Sequence, residues 1–132
     1  MPARWGAASA GVTLLALLSA AACLEPDPRG YGTHQRLGLP PCSFQRLVGR
    51  RCPSCGMTTS WSHLMRGEMV KSLQANAAGT MLGILAGALI PWLLASGMRG
   101  TWIGGYPHQR TVLALMTAVL VLALVDWALR FL

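Results

Sequence analysis

Charge is scarce in this sequence. Asp, Glu, Lys and Arg make up 11% of its 132 residues, against about 25% in a soluble domain. So few ionic groups cannot cover a water-facing surface, which argues against a freely soluble globular domain. Only four residues are acidic, and they form no paired-carboxylate site for acid–base catalysis. No glycine-rich loop cradles a phosphate. No stretch interleaves basic and aromatic residues in the manner of a nucleic-acid surface. Ser60, Ser62 and His63 crowd one short stretch, but neighbours on a helix do not make a nucleophile–base pair. These absences set aside hydrolases, phosphate-binding folds and nucleic-acid partners, and an enzyme is not the expected reading.

Apolar residues are what the chain has in abundance. They account for 53% of it, with a mean hydropathy of +0.45. The net charge is nonetheless +7, and beside long apolar runs the natural partner for that charge is an anionic lipid surface. Residues 5–24 contain no charged side chain. A helix of that length rises about 30 Å, enough for a bilayer core. Gly6, Ala7, Ala10 and Gly11 place small residues four apart, suited to helix contact. A retained transmembrane helix is the expected reading. The alternative is a signal peptide with Arg4 as its basic region, cleaved after Ala20-Ala21-Ala22 to leave Cys23 at the new N-terminus.

A second span is expected over residues 73–96. Gly79, Gly83 and Gly87 form a GxxxGxxxG ridge, so three successive turns would expose backbone for close helix packing. Pro91 should bend this helix near its far end. Trp92, Trp102 and Tyr106 flank a short Gly-rich turn as an interfacial aromatic belt. The third span is expected over residues 111–132. Its one acidic residue, Asp126, lies four before Arg130, an ion pair on one helix face. The reading is an all-α membrane protein: one membrane domain with three transmembrane helices and a short interfacial amphipathic helix at residues 43–48.

Between the first two spans, residues 25–72 form the only long polar segment. Its early part is rich in Pro and Gly and reads as a loop. The centre of interest is Cys52-Pro53-Ser54-Cys55-Gly56, followed by a helix for which Thr58, Thr59 and Ser60 are candidate caps. Met57, Trp61, Leu64 and Met65 fall on one apolar face of that helix, with Thr59, Ser62, His63 and Arg66 opposite. Gly67 ends it. A second helix then climbs from Glu68 into the apolar run, with Asn76 at its mouth.

The pattern Cys42-x(9)-Cys52-Pro53-x-Cys55-Gly56-x-Thr58, then Leu64-x-x-Gly67-Glu68, then Asn76, resembles the domain of unknown function 2752 family, small bacterial integral membrane proteins. The likeness covers residues 40–95. Thr59 stands where that family usually carries a basic residue. The resemblance implies a multi-pass protein of the bacterial cell membrane and no established activity.

Three chemistries compete for the thiols. Cys52 and Cys55 have the C-x2-C spacing of a zinc knuckle, and Cys42 could supply a third ligand. His34 and Cys23 could reach the site through the loop, whereas His63, eight residues beyond Cys55, is about 12 Å further along a helix. Alternatively, Cys-Pro-x-Cys before a helix N-terminus, with Arg50 and Arg51 nearby, is the layout of a thiol redox motif, though the βαβ context is absent. The plainest reading is structural: thiols or a disulfide that hold the loop on the membrane. Three spans put eight basic residues on the loop side and three on the other, which by the positive-inside rule places the loop in the cytoplasm. The expected protein is a non-enzymatic structural or interaction subunit, with zinc a candidate ligand. Its partners would be the bilayer, other membrane proteins or its own copies. A membrane-bound thiol redox protein is the alternative.

Overall fold

A computed structural model describes residues 2–130, with side chains from residue 5 onward. Arg4's side chain and the expected end of the last span at residues 131 and 132 lie outside these. The described chain is entirely helical: α1 (Pro2–Cys23), a 3-10 turn (Thr33–Leu37), α2 (Ser43–Val48), α3 (Met57–Met65), α4 (Met69–Ala75), α5 (Ala77–Arg99) and α6 (Gln109–Leu129). Three of the helices, α1, α5 and α6, are long and apolar enough to cross a membrane. The short α2 lies where an interfacial helix is expected.

The packing explains why this chain needs lipid. Among the described residues the buried apolar side chains are Ala7, Leu18, Ala21, Ala75, Ala78 and Ala86, of which only Leu18 is large. Big apolar side chains such as Leu113, Met116, Leu120 and Leu129 face outward, and α6 buries none of its residues. In water such a surface would aggregate. In a bilayer it is solvated, and helices associate where small residues let backbones meet.

The antiparallel pair α1–α5 follows that rule. A Cβ on Gly97 would lie 2.8–2.9 Å from Ala8, backbone included. One on Gly11 would lie 2.9–3.2 Å from Leu93 and Leu94. Of the small residues expected to pair helices, Ala7 and Gly11 are buried while Gly6 and Ala10 face outward. The glycine ridge of α5 also divides. Gly79 fits against Met57 and Ser60, and Gly83 against Trp61 and Leu64, but nothing lies within 4 Å of a Cβ at Gly87. The expected three-glycine contact is thus a two-glycine contact. Its partner α3 stops at Met65, one turn short of Gly87, which lines an open apolar groove with Leu15, Leu18 and Ile90.

Two further expectations need correction. The climb from Glu68 is not continuous: Asn76, at φ −166° and ψ 111°, separates α4 from α5, and the second span runs from Ala77 to Arg99. The start of α3 is not capped by Thr58, Thr59 or Ser60. Gly56 holds that position in a left-handed conformation (φ 91°). Three of the small polar residues of α3 are buried, although Arg66 on the same face is exposed. Thr59, Ser60 and Ser62 are all 0% exposed, while Met65 is 46% exposed. Ser62 and Arg66 reach the carbonyl of Leu24, Thr59 meets Thr33, and Ser72 donates to the carbonyl of Ser60. No buried side-chain N or O lacks a partner among the described residues.

Helix α5 runs through Pro91. Beyond it, Trp92, Trp102 and Tyr106 stack in series at 5.1 and 5.0 Å, and Trp92 donates to the Ile103 carbonyl. This aromatic end lies beside the start of α1. At the opposite end, the cysteine loop meets the close of α6.

The glycines give a paired test. Gly97→Val should lower the thermal midpoint of the detergent-purified protein, with an overpacking cost of about 1–3 kcal/mol. Gly87→Ala should leave it level or slightly raised. The reverse ranking would refute the helix contacts described.

Candidate functional site

Gly56 sets the position of the knuckle. A Cβ there would sit 2.5 Å from the Ala75 carbonyl oxygen and 2.7 Å from that of Gly30. Only glycine adopts this φ in so narrow a gap. The knuckle therefore presses against the α4–α5 break on one side and the early loop on the other. Asn76 fastens it. Its Nδ2 donates to the carbonyls of Pro53 and Cys55 at 3.0 and 3.1 Å, and its Oδ1 accepts from the backbone N–H of Gly79 at 2.7 Å. At 2% exposure this carboxamide satisfies two knuckle carbonyls and one otherwise orphan helix N–H.

The knuckle brings Cys52 and Cys55 Sγ atoms to 3.2 Å. Cys42, at the start of α2, completes a group whose three sulfurs all lie within 4.8 Å of one another. Among the described residues, no histidine or carboxylate joins them at that distance. His34 lines the same 200 Å³ pocket, with Tyr31, Gln35, Gln45 and the three cysteines, and its Nε2 is 3.3 Å from the Pro40 carbonyl. Two weaker candidates lie elsewhere. His63 pairs through Nδ1 with Glu68 at 2.6 Å, and Cys23 is exposed at the end of α1. Of the remaining motif residues, Thr58 lines the thiol pocket and Gly67 turns the chain at φ 75°.

The thiols differ electrostatically. Burial, reinforced by the neighbouring Cys52, pushes Cys55 up to about 12. Cys42 is held below its ordinary value, chiefly by the backbone N–H of Gln45 in the first turn of α2, although its sulfur makes no cap hydrogen bond. The sequence assigns thiolate stabilisation to Arg50, Arg51 and the start of α3. Arg51 instead lies over the Tyr31 ring at 4.1 Å and donates to the Arg29 carbonyl. Sequence reasoning also missed the wall supplied by α6. Trp127 donates to the Arg51 carbonyl at 2.7 Å. Arg130 pairs with Asp126 at 2.8 Å, as the spacing predicts, and also reaches the Ala75 carbonyl. An indole and a guanidinium at the end of an apolar span were the available signal.

Fold and site together define a three-span helical membrane protein with a three-cysteine cluster at one end of its helices. Over residues 42–90 the chain matches the family model described as "Protein of unknown function (DUF2752)", so the family its motif resembles is the family it matches. The matched segment begins at Cys42 and takes in α2 to α4 and most of α5, hence all three clustered cysteines and Asn76, but neither α1 nor α6. Comparison with curated proteins and with solved structures gives no match.

Two outcomes follow from this geometry. Under reducing, metal-free conditions, alkylation of the three clustered thiols at neutral pH should modify Cys42 first and Cys55 last, because the thiolate is the reactive form. Cys55 should quicken only in strong alkali, and peptide mapping after timed quenching reads the order. Separately, Asn76→Leu should lower the thermal midpoint, by about 1–3 kcal/mol for each buried group left unpaired.

Proposed function

We propose that this chain is a non-enzymatic membrane subunit in which Cys42, Cys52 and Cys55 hold a zinc ion that orders the interfacial loop. The convergence of three sulfurs, two from the knuckle and one from the start of α2, all within 4.8 Å of one another, carries this reading. Zinc–thiolate bonds of about 2.3 Å in a tetrahedron put sulfurs roughly 3.8 Å apart, which lies inside the observed range. The fourth position would open toward His34. Bound metal would also relieve the burial of Cys55, because coordination favours the thiolate. The subunit would act through the bilayer and through other membrane proteins or its own copies. The reading keeps α1 in place, since it covers faces of α5 and α3. It puts the protein in the bacterial cell membrane with the basic cysteine loop in the cytoplasm, where thiols stay reduced.

A second reading, membrane thiol redox chemistry, draws on the 3.2 Å separation of Cys52 and Cys55. One set of measurements separates the two. Full-length protein purified in detergent, reduced and free of chelator, should carry one equivalent of zinc. Cys42→Ser, Cys52→Ser and Cys55→Ser should each lose most of it. Replacement by cobalt should give thiolate charge-transfer absorption. Absence of metal, together with a Cys52–Cys55 disulfide trapped in native membranes, would sink the zinc reading and leave the redox one.

A further inference from the structure

Zinc in a structural site takes four ligands, and the three clustered sulfurs supply three. The donors zinc accepts are thiolate, imidazole and carboxylate. Among the described residues, no carboxylate lines the 200 Å³ pocket beside the cluster. Beyond the three thiols, the lining residue with a donor of the right kind is His34. The other candidates are placed elsewhere. Cys23 is exposed at the end of α1 and does not line the pocket, and His63 is held by Glu68 at 2.6 Å.

The ring of His34 is already held in one tautomer. Its Nε2 lies 3.3 Å from the Pro40 carbonyl. A carbonyl only accepts, so Nε2 carries the hydrogen, and in the neutral ring Nδ1 keeps the lone pair. Metal-bound histidines share this arrangement: the far nitrogen donates to a backbone carbonyl, which fixes the tautomer and the ring plane. The same bond folds residues 34–40 back, so that His34 and Cys42 line one pocket. The turn that carries His34 is tied to the knuckle at two points. Thr33 is 0% exposed, and its hydroxyl meets that of Thr59, in the first turn of α3, at 2.8 Å. The Gly30 carbonyl lies against Gly56. His34 stands outside the group of sulfurs within 4.8 Å, so the ring must advance to share an ion with them. Gly32 (φ 88°) and Gly38 (φ 79°) bracket the turn. Nothing lies within 4 Å of a Cβ at Gly38, which leaves the far end of the turn room to follow.

We propose that His34 is the fourth ligand of the metal site, bound through Nδ1 while Nε2–H stays on the Pro40 carbonyl, so that metal binding draws the Thr33–Leu37 turn onto the knuckle. The assignment rests on the zinc reading, and zinc-edge X-ray absorption separates the two. Full-length protein in detergent, reduced and loaded with one equivalent of zinc, should show three sulfurs at about 2.3 Å and one nitrogen at about 2.0–2.1 Å. The outer-shell scattering of one imidazole should accompany them. His34→Ala should lose the imidazole signal and keep the three sulfurs. It should also yield its zinc to a chelator at least about tenfold more readily, since losing even an outer-shell partner costs that much. His63→Ala should match wild type. An imidazole signal absent from wild type, or persisting in His34→Ala, overturns the assignment, while three bound sulfurs leave the zinc reading intact. Failure of wild type to bind zinc at all overturns both. Should His34→Ala fail to fold, His34→Gln, which keeps bulk and a donor for the Pro40 carbonyl, decides by the same spectrum.

Discussion

The carboxamide of Asn76 is the interaction on which the rest depends. A peptide chain that leaves a membrane helix must satisfy backbone groups that the helix no longer pairs. Here one side chain satisfies three: two knuckle carbonyls and the N–H of Gly79. It thereby fixes the cysteines relative to a helix that the bilayer itself orients. With a hydrophobic residue at that position, the knuckle would lose both carbonyl contacts that tie it to the start of α5. The position of the thiols is in this sense set by the break in the helix and not by the loop that carries them.

Two kinds of interior coexist in the molecule. Within the spans, small residues let the backbone and side chains of the neighbouring helix come close, and attraction comes from that approach. At the loop end, the buried groups are hydroxyls, a carboxamide and carbonyls, each partnered. The short helix α3 bridges them. Trp61 and Leu64 fit against the glycines of α5, while Thr59, Ser60 and Ser62 turn toward the loop. Such a division fits a site at the boundary between lipid and water, where polar groups are buried by other polar groups.

The spans were legible in the sequence because a bilayer imposes a length and forbids charge, and both can be counted. The knuckle was legible from the spacing of Cys52 and Cys55, and the third thiol from Cys42. Other features depended on information that periodicity does not carry. The division of α3 into two faces was legible, but not that both would find partners, Trp61 and Leu64 on α5 and Thr59 and Ser62 on the loop. The break at Asn76 left no mark in an apolar run that otherwise reads as one climb. Gly87 matched the small-residue pattern, but a contact also needs a partner long enough to reach it. Arg50 and Arg51 looked like stabilisers of a thiolate because they adjoin Cys52 in sequence, yet Arg51 is turned aside by Tyr31 and Arg29.

The contact between Trp127 and Arg51 has a consequence for biogenesis. Chains emerge from the ribosome N-terminus first, so the cysteines are made and exposed while α6 is still unsynthesised. Until that last helix inserts, the arginines beside the knuckle lack their wall and the carbonyl of Ala75 lacks Arg130. The wall beside the thiol cluster is therefore completed late in membrane integration. A chain truncated before α6 would keep Asn76 under the knuckle but leave the Arg51 and Ala75 carbonyls without their indole and guanidinium partners.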